Sequence, residues 1–413
     1  MQAGLSALQP LFRAPPMQKD RSDDMALKGL KVKGVNLGSW LLMEGYILGG
    51  RNIPETGFKQ RFRRLYGVKG LGDFESCFRD NFIREEDFRN IAKMGATVIR
   101  LPFNHRLIEA RPFVYSDKGL AYLERACRWA ARYKLKLIFD LHAVAGAQNP
   151  DWHSDCLGKV LFWKDKTCRE RTSALWEKIA DRFKDEPAVL GYDIMNEPVL
   201  GWAPESILKQ FYQDTVRRIR SIDTQHIIFL EGHDWGRKIS FLKDLVQEKV
   251  WISIHFYEPF QYAFNLAPHY RFPGKIDWIT WSDARIRRHL EYYFKFSQRY
   301  KANFFVGEFG VNWRGGFFGE PAWLESALSA FEDFGFGYTY WTYKAVAGKV
   351  YPDGLYQYLP NSRYVRREGP VYGWENYLTL WKKEKRWIKD FWLSKHFTPN
   401  TALIQILSRH FSG

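Results

Sequence analysis

The sequence predicts an α/β fold in which eight parallel strands close into a (β/α)8 barrel, a single domain with long βα loops and a C-terminal helical extension. Three observations carry that prediction. Short apolar, β-branched runs recur eight times along the chain. Amphipathic segments with apolar residues three and four apart lie between them. No glycine-rich nucleotide loop follows the first run, which disfavours an open doubly wound sheet.

The strand-like runs are 32–40, 96–103, 136–142, 189–197, 226–232, 250–257, 304–310 and 337–343. Their near-continuous apolar character suits strands buried on both faces, as in a parallel barrel. Helical periodicity is clearest over 120–133, 170–183, 207–222, 284–300 and 322–334. The connections after the sixth and eighth strands, 258–281 and 344–377, are long and aromatic. In a barrel they rise over the C-terminal face, where they should wall a cleft. Residues 1–27 read as a disordered leader, 28–390 as the barrel, and 391–413 as a helical tail packed on it.

The chain has 413 residues, 17% of them aromatic, and a formal charge of +16. Such charge directs attention to nucleic acid. The basic residues are dispersed, however, and their small clusters at 61–64 and 382–386 fall in helix-like stretches. No nucleic-acid motif accompanies them, so the charge reads as solubility and no nucleic-acid partner is expected. The four cysteines have no Cys-x-x-Cys spacing, which argues against zinc. Cys156 and Cys168 could bridge a loop or remain thiols. No run reaches membrane-spanning length, and no apolar signal-peptide core precedes residue 28. The chain as given therefore reads as cytoplasmic, or as secreted if its N-terminus is processed or truncated. Its oligomeric state is not legible.

Polar groups gather where the strand-like runs end. Glu197 closes the run 189–197, and Glu308 lies near the end of 304–310. Two carboxylates from separate strand ends suit a retaining glycosidase, in which one donates a proton and the other attacks the sugar carbon. Arg100, late in the second run, could keep a nucleophilic carboxylate ionised. Asp140 and His142 share a face of the third run, as do His255 and Tyr257 on the sixth. Asn196 precedes Glu197 and could bond a sugar hydroxyl, while Trp341 could offer a stacking floor. A weakly charged pocket is expected to raise the Glu197 pKa, with Arg100 and Tyr257 keeping Glu308 anionic. Three rivals predict other behaviour. They are a catalytically silent sugar-binding barrel, a metal-dependent hydrolase using His142, Asp193 and His255, and a nucleic-acid binder.

These residues resemble those of the family 5 glycoside hydrolases, across roughly residues 30–360, most specifically at Leu190–Pro198. The resemblance implies Glu197 as acid/base and Glu308 as nucleophile. It implies contacts to the sugar or to the two carboxylates from Arg100, His142, Asn196, His255, Tyr257 and Trp341. Residues 34–44 and 140–149 are similar to exo-β-1,3-glucanases and related glucosidases of the family. That similarity adds Glu44, which would hold a terminal glucose, and Asn149 as substrate-binding positions. Departures occur at Ala143–Ala145 and Gly45, and 151–155 resembles members acting on small glucosides and glycolipids. The implied substrate is a β-glucan, β-1,4 or β-1,3, or its oligosaccharides. A small glucoside, a glycolipid or a β-mannan is the alternative. No cofactor and no metal are implied.

Overall fold

The computed structural model describes residues 31–358 and 374–413. The expected leader and the stretch 359–373 of the last long connection lie outside them. Eight strands form a closed barrel in sequential order: β1 (Lys33–Asn36), β2 (Val98–Asn104), β3 (Lys136–Ala143), β4 (Val189–Asp193), β5 (Ile227–Glu231), β6 (Val250–Phe256), β7 (Asn303–Phe309) and β8 (Gly337–Tyr340). Every pairing is parallel, and β1 closes on β8 through Lys33 opposite Tyr338. Six strands end before the expected bounds, the first, fourth and eighth by three residues or more. Glu197 lies beyond β4, and Trp341 follows β8 directly.

Helices clad the barrel in chain order: α1 (Glu55–Asn81), α2 (Glu85–Lys93), α3 (Asp117–Arg132), α4 (Lys166–Phe183), α5 (Glu205–Arg220), α6 (Asp283–Tyr300) and α7 (Glu320–Asp333). Local chemistry sets their starts. Ser116 accepts from the Gly119 N–H at the head of α3, and Asp165 accepts from Thr167 at the head of α4. The apolar face of α3, with Leu120, Leu123, Ala126, Cys127 and Ala130, is buried at helical spacing. One connection departs from the alternation: between β5 and β6 there is only a 3-10 turn, Ser240–Leu245. Its first part is used by a reversal at Asp234 and Trp235, both left-handed, before Phe241, Leu242 and Leu245 are buried.

Two additions enlarge the barrel. Helix α8 (Glu375–Phe391) packs on α1, which is interrupted at Gly67 (φ 69). Phe62, Phe74 and Phe78 meet Trp381 and Trp392 there, with Phe62–Phe74 centroids 4.5 Å apart and Phe74–Trp381 5.1 Å. Much of the aromatic excess is spent on this interface. The second addition is α9 (Thr401–Ser412), which buries Leu403, Ile406, Leu407 and Phe411. Before it, Thr398–Pro399 pairs with Tyr356–Tyr358, which in turn pairs with Lys344–Val346. The long connection after β8 is therefore partly a small sheet. That after β6 holds a hairpin, Gly274–Ile276 with Ile279–Trp281, turning at Asp277 and Trp278, both at positive φ. All four cysteines are free thiols.

Candidate active site

A cavity of about 670 Å³ contains both glutamates. Of the ten expected site residues, Glu44, His142, Glu197, His255, Tyr257, Glu308 and Trp341 line it. Arg100, Asn149 and Asn196 do not; they are fully buried behind its wall.

Arg100, inward from β2, is the hub. Its guanidinium donates to Glu308 Oε1 at 2.8 Å, Asp193 Oδ2 at 3.0 Å, Glu231 Oε1 at 3.2 Å, Asn36 Oδ1 at 3.2 Å and Asn196 Oδ1 at 2.9 Å. Asp140 Oδ2 lies 3.1 Å away. A rigid fork with five donors can serve that many acceptors, whereas an ammonium cannot. Tyr257 donates to the other Glu308 oxygen at 2.8 Å. Both oxygens of Glu308 are thereby held.

Local backbone geometry aims Glu308. Val306 pairs with Ile254 but Glu308 pairs with His255, so Gly307 is bulged out of the register. A Cβ on Gly307 would lie 2.8 Å from Ser253 Oγ and 3.2 Å from His255 Nε2, so only glycine fits against this interior. Its carbonyl accepts from Asn36 and Thr339 at 2.9 and 2.6 Å.

Glu197 sits in the left-handed region at φ 48, an uncommon place for a glutamate. Its N–H donates to Glu231 Oε2 at 2.7 Å, and its carbonyl accepts from Asn149 at 2.9 Å. Each side-chain oxygen faces an imidazole: His255 Nδ1 is 2.7 Å from Oε1, and His153 Nε2 is 3.2 Å from Oε2. One oxygen of Glu197, one of Glu308 and a ring nitrogen of His255 lie within 4.8 Å of one another.

His142 donates through Nδ1 to Asp140 at 2.7 Å, and its other nitrogen is 3.4 Å from Asn196 Nδ2. Its ring stacks on Trp341 at 5.4 Å and 11°. The Trp341 indole N–H donates to the Tyr46 hydroxyl. Glu44 is buried on the cavity wall, where the Trp152 indole N–H approaches its carboxyl.

The electrostatics differ from expectation at one point. Burial pushes Glu197 up, but hydrogen bonds from His153 and His255 outweigh it and hold the carboxyl well below its ordinary range. The expected weakly charged pocket is absent; two cationic rings surround Glu197 instead. Burial opposes charge on His153 as well, yet the bond to Glu197 lifts it to about 9. Burial likewise opposes His255, and the carboxylates of Glu231 and Glu308 raise it well above normal. Burial pushes Asp140, Asp193 and Glu231 to about 7 each, against the pull of Arg100 on the two aspartates and of His255, then Arg100, on Glu231. Glu44 is pushed to about 8, chiefly by burial. His142 is held neutral, far below its usual range, first by burial.

Sequence reasoning left out His153, Glu231, Asn36, Tyr46 and Trp152. Glu231 closes a strand-like run, so its signal was the one used for Glu197. His153 and Trp152 belong to 151–155, noticed only as a resemblance. Glu197, His255 and Glu308 have spacing that could suit a cation. The Arg100 guanidinium, 2.8 Å from Glu308, already fills the cationic role there. Among the described residues, His142, Asp193 and His255 do not form such a grouping. No described helix is long and apolar enough to cross a membrane.

Comparison with known proteins bears on the family and the fold. A family model for cellulase, glycosyl hydrolase family 5, matches residues 60–346. A β-xylosidase of Phanerodontia chrysosporium is 30% identical over 262 residues, covering 62% of this chain and 52% of the relative. Endoglucanase C of Acetivibrio thermocellus is 24% identical over 306 residues, covering 66% and 87%. A probable glucan 1,3-β-glucosidase A of Emericella nidulans is 30% identical over 255 residues, covering 58% and 61%. The chain thus spans about half the length of the xylosidase and about three fifths of the glucosidase. A crystal structure of a glycoside hydrolase superposes with a TM-score of 0.63 at 18% identity, covering 92% of this chain and 99% of that one. An endoglucanase from the hyperthermophilic Thermotoga maritima gives 0.54 at 22%, covering 66% and 85%. At these identities the structural likeness speaks to the barrel fold.

Proposed function

Because this chain belongs to glycosyl hydrolase family 5, the cellulase family, we propose that it hydrolyses β-D-glucosidic bonds by double displacement with net retention. The spacing of the two glutamates carries this reading. Retaining enzymes hold their carboxyl groups about 5–5.5 Å apart, and inverting enzymes about 6.5–9.5 Å. Here one oxygen of Glu197 and one of Glu308 lie within 4.8 Å of each other, which supports the shorter, retaining arrangement.

In the first step Glu308 attacks the anomeric carbon. The glycosidic C–O bond breaks, and Glu197 delivers a proton to the departing oxygen. In the second, Glu197 takes a proton from water, whose oxygen displaces Glu308 from the glucosyl ester. Arg100 and Tyr257 fix the nucleophile, since each bonds one of its oxygens. Trp341 supplies a flat face for the sugar in the cleaved position, with His142 at its edge. Asn149 supports Glu197 through its carbonyl, and Asn196 acts through Arg100 and His142.

The substrate is a β-glucan, β-1,4 or β-1,3, or a glucoside derived from it, with a terminal glucosyl group in the cavity. Glu44 and Trp152 support the terminal position. Both lie on the cavity wall, where a buried carboxyl and an indole N–H can bond hydroxyl groups.

The test is the anomer first released, read by proton NMR on a β-glucoside; α-glucose as the first product would end the proposal. Glu308→Gln should abolish turnover on every substrate. Glu197→Gln should lower kcat by about 10²–10⁴-fold on poor leaving groups and less on activated ones, with partial rescue by azide. Product profiles on laminarin, soluble cellulose, lichenan, mannan and a glucosyl lipid identify the substrate, glucose alone indicating attack at chain ends.

A further inference from the structure

His153 stands outside the residues assigned above, and its surroundings are unusual for a cavity-edge histidine. It rides on the turn Trp152–Ser154, fixed from both sides. Asn149 Oδ1 accepts from the Asp151 N–H at 2.9 Å, and Ser154 Oγ donates to the Asn149 carbonyl at 2.7 Å. Trp235 Nε1 donates to Asp151 Oδ2 at 2.8 Å, and Asp155, left-handed at φ 57, receives the Thr56 N–H at 2.7 Å.

The turn aims His153 Nε2 at Glu197 Oε2, 3.2 Å away, and at Asn149 Nδ2, 3.0 Å away. The Asn149 amide is oriented by its oxygen's bond to Asp151, so its nitrogen is a donor at this point. Nε2 therefore has a partner in either state: it donates to Glu197 when protonated and accepts from Asn149 when neutral. His255 has no such freedom. Its Nδ1 faces Glu197, and its Nε2 faces Glu231 at 3.2 Å inside the carboxylate-rich interior.

We infer that His153 is a positioning residue for the catalytic proton, holding it at Glu197 Oε2 through a shared hydrogen bond, yielding it in the first half-reaction and taking it back in the second. This rests on the reading of Glu197 as the acid/base. The charged and titratable groups facing His153 are Glu197 after β4, Glu44 after β1, Asp151 on its own turn, and His142 on β3, whose ring centroid is 5.7 Å away. The anions favour the imidazolium. Neutral His142 does little to oppose it.

The proton balance closes over one turnover. In the resting site the proton is on His153 and Glu197 is a carboxylate. As the glycosidic bond breaks, the Nε2–H bond breaks and a Glu197 O–H forms; that O–H then breaks as the departing oxygen is protonated. His153 is left neutral, accepting from Asn149. In the second half-reaction Glu197 removes a proton from water and passes it back to Nε2. A pair that shares one proton titrates as a unit, so loss of the acid form follows the pair and not the carboxyl alone. The basic limb of kcat/KM then lies near the value of His153, about 9.

The experiment compares the pH dependence of kcat/KM for the full chain and for His153→Asn, on phenyl β-glucoside and on 2,4-dinitrophenyl β-glucoside. The phenolate needs a proton to leave and the dinitrophenolate does not. The expected result is a basic limb on the phenyl substrate displaced to lower pH by about one unit or more, with a smaller loss on the dinitrophenyl substrate than on the phenyl one. His153→Gln, a neutral donor of similar reach, carries the same expectation, and thermal unfolding verifies that each variant is folded. A uniform fall in kcat/KM with an unmoved basic limb would show a merely structural role and overturn the inference. Glu197→Gln separates the two readings. If it kept the basic limb, the acid/base assignment would fail. If it abolished the limb while His153→Asn left it in place, only the role of His153 would.

Discussion

Replacing Arg100 with methionine exposes the energetic logic of the site. The guanidinium is completely buried and meets four carboxylates: Asp140, Asp193, Glu231 and Glu308. Methionine matches part of its length and removes its charge and all its donors. Removing one partner of a buried ion pair costs about 3–5 kcal/mol, because the partner left behind is uncompensated. Unfolding entropy scales as about 2.1 cal/mol/K per residue, or about 0.8 kcal/mol/K for the Val32–Gly413 unit. A loss of about 4 kcal/mol therefore lowers the unfolding midpoint by about 5 °C. The sign of the pH dependence follows from the carboxyls. Asp140, Asp193 and Glu231 are held at about 7 in the fold, against about 4 in an unfolded chain. The native state keeps protons that the unfolded state has released, so their contribution is complete below pH about 4 and drains away as pH rises through 7. Arg100 favours the ionised forms, so its removal matters little where they are protonated and most where they are not. The stability deficit of Arg100→Met should grow from pH 5 to pH 9, measured by circular dichroism during thermal or urea unfolding. A deficit below about 1 kcal/mol, or one constant across that range, would refute the claim that Arg100 compensates this cluster.

Further perturbations test other parts of the molecule. Phe74→Ala should cost about 3–5 kcal/mol in urea unfolding, because its ring is fully buried between Phe62, Phe78, Trp381 and Trp392. Lys344 is buried among the carbonyls of Phe82 and Trp392 and the Ser394 hydroxyl, and burial lowers its ammonium to about 8. The fold thus holds fewer protons than the unfolded chain between about 8 and 10.5. The stability of the natural chain relative to Lys344→Met should then rise by up to about 1.4 kcal/mol per pH unit in that window. Gly307→Ala should reduce kcat far more than it reduces the unfolding midpoint, since its added methyl would meet Ser253 and His255 beside Glu308.

What could be read from the sequence, and what could not, divides along physical lines. Barrel strands are buried on both faces, so apolar runs such as Val98–Asn104 announce themselves, and a lone polar residue within one, such as Arg100, stands out. The two glutamates were visible for the same reason. Residues delivered by loops were not. His153 depends on a turn closed by a left-handed Asp155, and Trp235 on a reversal through Asp234. Neither conformation has a periodicity to read. Glu231 was visible but uninterpretable, because its role comes from neighbours on β2 and β6. The direction of the Glu197 shift was misjudged because it depends on His153. The α1–α8 interface was hidden as well, since aromatic residues can serve a core or a cleft and composition does not choose between them.

The docking of α9 has a practical corollary. Lys33, at the start of β1, donates to the His410 carbonyl and pairs with Glu332 at 2.6 Å. His410 bonds Glu325 and Glu332, and Tyr338 at the start of β8 also reaches Glu332. The helix lies across the seam where the last strand meets the first, at the end of the barrel opposite Glu197 and Glu308. Anything joined after residue 413 hangs from the underside, so an enzyme immobilised there turns the cavity holding Glu197 and Glu308 away from the support. The same tether pulls near the starts of the first and last strands, so mechanical load applied at that end acts on the pairing of Lys33 with Tyr338.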